Sequence, residues 1–237
     1  MTTIFCSDIH GSYNAFKNKI ETMINKYPNA EIVLGGDYID GYGEIDVLST
    51  LKYIRQLQKE YNTHVLIGNH EDMLLRFYYQ DDVTWYLNGA KKTIKSLFGR
   101  GFSKERTKHH LSQLVIDDVK LISWLKSFSV DYLNDDGYFV HAFTAPTVDI
   151  DTSRDLTPYD DKIWNRMLMD VSTNNTEKTI IVGHTPIQII SNDENAKLKP
   201  IEKETNDYPI YFCDGGASHF SEPLICVFEK DELIDYL

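Results

Sequence analysis

The chain has 237 residues, 42% of them hydrophobic, and its 24 basic and 36 acidic side chains give a net charge of −12. That length and apolar fraction predict one globular domain spanning 1–237 and exclude a disordered chain, while the acidic balance argues against a protein that coats nucleic acid, which needs a basic face. Three cysteines without paired spacing, Cys6, Cys213 and Cys226, suit buried thiols in a reducing compartment, and the lack of a basic-then-apolar leader or a long apolar run gives the expectation of a cytoplasmic protein with no membrane partner.

Thr2 to Cys6 reads as a short apolar strand whose exit is Ser7-Asp8-Ile9-His10-Gly11. Ser12 is placed to cap a helix that carries Phe16, Ile20, Met23, Ile24 and Tyr27 on one face. Glu31 to Leu34 is a second strand, running into Gly35-Gly36-Asp37-Tyr38-Ile39-Asp40-Gly41, where two glycines permit a sharp turn. Val47, Leu48, Leu51, Ile54 and Leu57 mark a second amphipathic helix, and His64 to Ile67 a third strand feeding Gly68-Asn69-His70-Glu71. This alternation predicts a parallel core with right-handed crossovers.

From Glu71 to about Phe128 no strand is expected. Leu74, Leu75, Tyr78, Ile94, Leu97, Val119, Ile122 and Leu125 instead predict a helical insertion over one side of the site, broken near Asn88-Gly89-Ala90 and Gly99-Arg100-Gly101. A hairpin follows, Val130 to Leu133 and Tyr138 to His141, turning at Asn134-Asp135-Asp136-Gly137. Ile163 to Met169 reads as a short helix, and Thr179 to Val182 as a strand ending in Gly183-His184-Thr185-Pro186. Asn192 to Asp207 reads as an exposed loop, and Ile210 to Cys213 with Leu224 to Glu229 as a final antiparallel pair.

Strand ends thus collect Asp8 with His10, Asp37, Asn69, His141 and His184. Carboxylate, imidazole and amide oxygen together suit borderline ions: manganese first, with iron, zinc or nickel as alternatives. Two-metal hydrolysis needs one ligand shared between the ions, and a carboxylate has two oxygens for that. Asp37 is the candidate bridge, Asp8 and His10 hold the first ion, and Asn69, His141 and His184 hold the second. The amide of Asn69 adds a ligand without adding charge, so the site still accepts an anion.

The segments SDIHG, GDYIDG, GNHE, VHA and GHTP occur in that order between Ser7 and Pro186. In this the sequence resembles the calcineurin-like metallophosphoesterase superfamily, and within it the bacterial and phage members of the serine/threonine phosphoprotein phosphatase family. Trp164-Asn165-Arg166 resembles the family's Trp-x-Arg, Asp214-Gly215-Gly216-Ala217 a late glycine-rich segment, and Trp85 to Ala90 with Thr93 a helical-cap motif of bacterial members. The resemblance implies a four-layer α/β/β/α sandwich with a helical insertion at about 71–128. It implies that His70 is the general acid, that Asp40 orients it, and that Arg166 binds the phosphate. The implied activity is phosphomonoester hydrolysis through a metal-bridging hydroxide, with phosphoserine/threonine proteins or a small phosphoester as substrate. The alternatives are a dinucleoside polyphosphate (diadenosine tetraphosphate-type) hydrolase and a non-catalytic scaffold; the presence of every ligand position and of His70 argues against the last.

Phosphoprotein phosphatases usually carry Arg at the positions of Gly41 and Ile67. Two clamps are therefore missing, and Arg76, Arg100, Lys91 and Lys92 of the insertion are the candidates to replace them. His64, His109, His110 and His219 match no motif and read as surface or packing residues, as do the aromatic runs around Trp85 and Trp124. Asp117-Asp118, Asp135-Asp136 and Asp160-Asp161 read as turn or cap acids.

Overall fold

The computed structural model describes residues 1–142, 158–166, 174, 176–217 and 219–237. The first strand–helix repeats are β1 (Thr2–Cys6), α1 (Tyr13–Lys26), β2 (Glu31–Leu34), α2 (Val47–Glu60) and β3 (Thr63–Val65). The insertion follows as α3 (Asn69–Gln80), α4 (Thr84–Leu87), α5 (Ala90–Phe98), α6 (Lys104–Gln113), β4 (Val115–Ile116), β5 (Val119–Lys120) and α7 (Leu121–Lys126). The remainder is β6 (Asp131–Asn134), β7 (Gly137–Val140), α8 (Pro158–Trp164), β8 (Ile180–Val182), α9 (Ile187–Ile190), β9 (Ile201–Lys203), β10 (Ile210–Phe212), β11 (Ile225–Glu229) and β12 (Glu232–Tyr236).

Two five-stranded mixed sheets result, ordered β12-β11-β1-β2-β3 and β6-β7-β8-β10-β9. In the first, β1, β2 and β3 run parallel; in the second, β7, β8 and β10 do. Parallel neighbours send their exit loops to one edge, so each sheet delivers three loops to a common end. The period-two alternation of side chains decides how the sheets stack. Phe5, Val33, Cys226 and Phe228 of the first sheet meet Phe139, Ile181 and Tyr211 of the second in one buried cluster. Their neighbours Ile4, Cys6, Ile32, Leu34, Ile225 and Val227 point the other way, into a larger core with α1, α2 and the insertion. Val140, Ile180, Val182, Ile210 and Phe212 face outward from the second sheet, where Ile190 of α9 packs on them. This is the expected α/β sandwich of two mixed sheets flanked by helices. Opposite the exit loops, Asp136 in the β6–β7 turn accepts hydrogen bonds from Thr3 Oγ1 (2.8 Å) and Lys230 N–H (3.0 Å), tying the two sheets by a buried carboxylate.

Several elements depart from the expectation. Ile210–Phe212 and Ile225–Glu229 are not partners: β10 pairs with β8 and β9, while β11 pairs with β1 and β12. Both runs are apolar on alternate faces, and their facing side chains meet across the inter-sheet core, a contact that periodicity alone cannot tell from pairing. The loop 192–207 contains the edge strand β9, whose half-exposed sequence IEK carries little apolar signal. The insertion holds the β4–β5 hairpin, turning at Asp117-Asp118 with Asp117 at φ +61°. Ser12 occupies the N-cap of α1 without making a side-chain capping bond. The helix expected over 163–169 is found at Pro158–Trp164, and 167–169 lie outside the described residues. No helix among the described residues is long and apolar enough to cross a membrane.

Phe139 is fully buried between the sheets, with its ring centroid 5.7 Å from Phe5 and 6.2 Å from Phe228. Phe139→Ala is expected to lower the free energy of unfolding by about 3–5 kcal/mol, read from the midpoint of a urea titration.

Candidate active site

The exit loops bend by placing functional residues, not only glycines, in the left-handed region. Asp8 (φ +53°), His10 (+47°), Asp37 (+57°), Asp40 (+58°) and His184 (+62°) all lie there. Each such residue costs energy that the surrounding structure must offset. Backbone bonds hold the first two loops together: Asp8 N–H donates to Gly36 O, His10 N–H to Asp37 O, and Gly11 N–H to Tyr38 O, each at 2.9 Å. Close approach needs glycine as well. A Cβ at Gly68 would lie 2.2 Å from Asp37 Oδ1, and one at Gly183 would lie 2.3 Å from Asp8 Oδ2.

All six expected metal-ligand residues converge, and all are buried. Asp37 Oδ2 lies 3.8 Å from His10 Nε2, 3.9 Å from His70 Nε2 and 3.5 Å from His141 Nε2. His141 Nε2 is also 3.0 Å from Asn69 Oδ1. Asp8 Oδ2 accepts from His184 N–H at 2.8 Å, and Asp8 Oδ1 is 4.0 Å from His10 Nε2. The rings of His141 and His184 are 5.0 Å apart. Two sets of side chains, His10–Asp37–His70 and Asp37–His141–His184, bring ligand atoms close enough to hold an ion each, and Asp37 belongs to both.

The tautomers fit cation binding. Carbonyl oxygens can only accept, so His141 Nδ1, 2.7 Å from Gly35 O, carries the proton. His10 Nδ1 does likewise toward Ile39 O (3.0 Å) and Asp40 O (2.6 Å), and His184 Nε2 toward Trp164 O (3.2 Å). Each imidazole is therefore anchored through one nitrogen and turns the other toward the carboxylates, the arrangement of a metal-ligating histidine. A lone pair facing Asp37 Oδ2 and Asn69 Oδ1 is repulsive unless a cation sits between. On their own the side chains meet this by protonation. Burial pushes the His141 imidazole down, but the Asp37 carboxylate outweighs it and holds the ring at about 9. Burial likewise pushes Asp37 up, and the His141, His70 and His10 rings pull it well below the usual carboxylate range.

Asp40, like the expected ligand Asp8, is in neither of these sets; what distinguishes Asp40 is its partners. Its Oδ2 accepts from His70 Nδ1 at 2.9 Å and from the Trp85 indole N–H at 2.9 Å, and its Oδ1 accepts from the Thr93 hydroxyl. Trp85 and Thr93 come from the insertion, so α4 and α5 pin the carboxylate that in turn holds His70. Gly89, at φ +120°, lets that segment approach: a Cβ there would lie 2.6 Å from Asp40 Cβ. Burial lowers the His70 imidazole, and the Asp37 charge with the Asp40 hydrogen bond raises it further, to about 9. Trp85 packs as expected of a core aromatic, but its donor role was invisible in the sequence because it depends on a partner 45 residues away.

Glu71 is a second residue that motif reading left without a task. It is fully buried and accepts N–H bonds from Asp37 (2.9 Å), Tyr38 (2.9 Å), Ile39 (3.3 Å) and Gly68 (3.2 Å). It thus splints the loop after β2 to the start of α3. Asp37 Oδ1 completes the joint by accepting His70 N–H at 2.9 Å, one of the unpaired amides of the α3 N-terminus. Burial, followed by the nearby Asp37 charge, pushes Glu71 up to about 7.

A cleft of about 180 Å³ opens over Asp8, Asp37, His70 and His184, with Arg166, Asp214 and His219 on its walls. Arg166 Nη1 donates to His184 O and to Thr185 Oγ1, which fixes the guanidinium at the rim. Asp214 is buried; burial first and the Asp8 charge second raise its carboxyl well above the usual range, and its Oδ1 accepts Gly216 N–H. His219 is exposed, as expected of a surface residue, but it also lines this cleft, its ring centroid 3.9 Å from that of Tyr42 with the two planes tilted by 55°. His64 and His110 are packing residues, stacked on Tyr132 and Phe102. Among the candidates to replace the missing arginines, Arg76 is already committed to Asp72 and Asp160, both at 2.6 Å.

A family model described as calcineurin-like phosphoesterase matches residues 1–237. The symmetrical bis(5'-nucleosyl)-tetraphosphatase of Buchnera aphidicola subsp. Schizaphis graminum is 25% identical over 156 residues, which cover 65% of this chain and 49% of that protein. The protein of the same name from Wigglesworthia glossinidia brevipalpis is 37% identical over 78 residues, covering 33% of this chain and 27% of that one. The matched segments thus span about half or less of these curated relatives. Among solved structures, a protein serine/threonine phosphatase of Saccharomyces cerevisiae superposes with a TM-score of 0.56 at 13% identity, covering 96% of this chain and 72% of that one. At that identity the likeness is one of fold.

Removing the Glu71 carboxylate leaves a cluster of buried amides without an acceptor. Glu71→Ala is expected to cost about 3 kcal/mol or more of unfolding free energy, at roughly 1–3 kcal/mol per orphaned donor, measured by urea denaturation of the chelator-treated protein.

Proposed function

The chain belongs to the calcineurin-like phosphoesterase family, and from that premise we propose that it is a dinuclear metal-dependent phosphoesterase acting on phosphomonoesters. The observation that carries this reading is the position of Asp37, shared by two cation-capable sets beside a carboxylate-held histidine that belongs to one of them. Asp8 and His10 would hold one ion, Asn69, His141 and His184 the other, with Asp37 between them; manganese suits the donor set. When bound, such ions supply Lewis-acid neutralisation of phosphoryl oxygens and an acidified water.

The chain's own residues do the rest. His70 is held through Nδ1 by Asp40, so Nε2 is the atom that carries a proton to the leaving oxygen. Trp85 and Thr93 fix Asp40, and with it the tilt of the His70 ring. Arg166, anchored to the His184 carbonyl, donates to the phosphoryl oxygens across the cleft. The buried surroundings exclude most water from the ring–carboxylate pair and strengthen their attraction.

A second reading, cleavage of a dinucleoside polyphosphate, is favoured by the activity that the two curated relatives carry in their names. A panel with manganese separates them. Hydrolysis of p-nitrophenyl phosphate and a phosphoserine peptide, with diadenosine tetraphosphate untouched, supports the first; the reverse preference supports the second.

Asp40→Asn is expected to lower kcat by about a hundredfold or more while two ions per chain remain on elemental analysis, because general-acid delivery contributes about 10²–10⁴-fold. Trp85→Phe is expected to give a smaller fall in kcat, with KM unchanged. Asp37→Asn is expected to lose both ions together, read by the same elemental analysis.

A further inference from the structure

The stretch 91–106 is out of character for a chain of net charge −12. It holds Lys91, Lys92, Lys95, Arg100, Lys104 and Arg106 against a single acid, Glu105. None of these six cations forms an ion pair among the described residues, although acidic side chains outnumber basic ones by half again in the chain as a whole. Glu105 is engaged by its own backbone N–H and the Ser103 hydroxyl at the start of α6. Like charges without acidic partners repel each other, and a structure with so many acids available could have neutralised them; among the described residues, Lys92 donates only to a backbone carbonyl, Gly43 O, at 3.1 Å.

The cations surround a cavity. Lys91, Lys95, Arg100 and Arg106 line a cleft of about 510 Å³ between α5 and α6, together with Tyr86, Ile94, Gly101, Phe102 and Ser103, and among the described residues no acid lines it. Two cations sit over its aromatic walls: the Arg100 guanidinium lies 5.1 Å from the centre of the Phe102 ring, and Lys104 Nζ 5.7 Å from that of Tyr86. The cleft is not isolated. Tyr86 and Lys91 also line a second cleft, of about 190 Å³, floored by His10, Asp40 and His70 and walled by Tyr42, Lys92 and His219. That cleft shares His10, His70 and His219 with the one over Asp37. Shared lining residues therefore link the three clefts in series, from the candidate metal site past His70 to the basic cleft of the insertion.

We propose that this basic cleft is a second anion site, which takes a phosphate group of the substrate other than the one hydrolysed. The placement rests on the phosphoesterase reading, because it puts the extra phosphate on the leaving-group side, where His70 delivers its proton. Guanidinium and ammonium groups here meet a phosphate that the family's two missing arginines, at Gly41 and Ile67, do not clamp near the metals. The substrate class that follows is a molecule with at least two phosphates, either along one polyphosphate chain or as two separate esters.

The test is calorimetric titration of the full-length, manganese-loaded protein with inorganic tripolyphosphate, repeated after chelation. It compares the wild type, the triple variant K95E/R100E/R106E and a charge-matched control, K52E/K120E/K126E, whose changes lie elsewhere on the surface. All six positions are exposed, so folding is preserved, and thermal melting verifies it. The expected result is a loss of affinity of about tenfold or more in the triple variant and about twofold or less in the control, with and without metal; charge-assisted hydrogen bonds to phosphate are large enough for the first, and screened long-range charge for only the second. Equal loss in both variants, or none in the triple variant, overturns the site. Parallel titrations with adenosine triphosphate and with a doubly phosphorylated peptide identify the source of the second phosphate by which of them loses more affinity in the triple variant. Because these are binding measurements, a failure of the hydrolase reading would appear separately, as absent turnover of p-nitrophenyl phosphate.

Discussion

Everything at the candidate site follows from one electrostatic problem, the burial of Asp37. Its carboxylate sits at the meeting point of both sheets' exit loops, with three imidazoles within 4 Å of one oxygen. An ionised group in that position is tolerable only if positive charge is concentrated around it. Among the described residues, none of it comes from Lys or Arg in direct contact. The protein supplies imidazoles: His10 and His141 are anchored through Nδ1 by backbone carbonyls, His70 through Nδ1 by the Asp40 carboxylate, and all three turn Nε2 toward Asp37. That arrangement is costly for the bare side chains and favourable around cations, which is why we read it as a binding site and not as a structural network.

The scaffold's task is then to hold strained loops against that charge. Five site residues have left-handed backbones, and Glu71 collects amides from two of the loops. Asp37 itself caps the α3 N-terminus, so the same carboxylate serves the helix dipole and the site. The insertion is more than a cover. Through Trp85 and Thr93 it reaches the Asp40–His70 pair, and through its unpaired cations it extends the site's reach for anions.

Much of this was legible in the sequence because strand ends carry chemistry and the strands were apolar runs of ordinary length. Asp8, His10, Asp37, Asn69, His141 and His184 could be picked out only together, since no one of them is telling alone but each stands at the end of such a run. What the sequence withheld were relations between distant segments. β10 and β11 look like a hairpin pair by alternation, yet they belong to opposite sheets, and only the inter-sheet contact of their facing side chains separates the two arrangements. His219 follows no strand and stands in no motif; it reaches the cleft because the chain turns back after Asp214. The donor role of Trp85 is hidden by its aromatic character, which burial explains just as well. Arg76 looked like a free clamp although Asp72 stands four residues before it on the same helix, a spacing that pairs opposite charges; only its second partner, Asp160, 84 residues away, gives no sequence sign of pairing.

The central claim is that Asp37 is shared between two ions. Anomalous diffraction from crystals grown with manganese tests it most directly. The account predicts two peaks flanking the Asp37 carboxylate, roughly 3.5–4 Å apart, one nearer Asp8 and His10 and the other nearer Asn69, His141 and His184. A single peak, or two peaks of which neither touches Asp37, would contradict it.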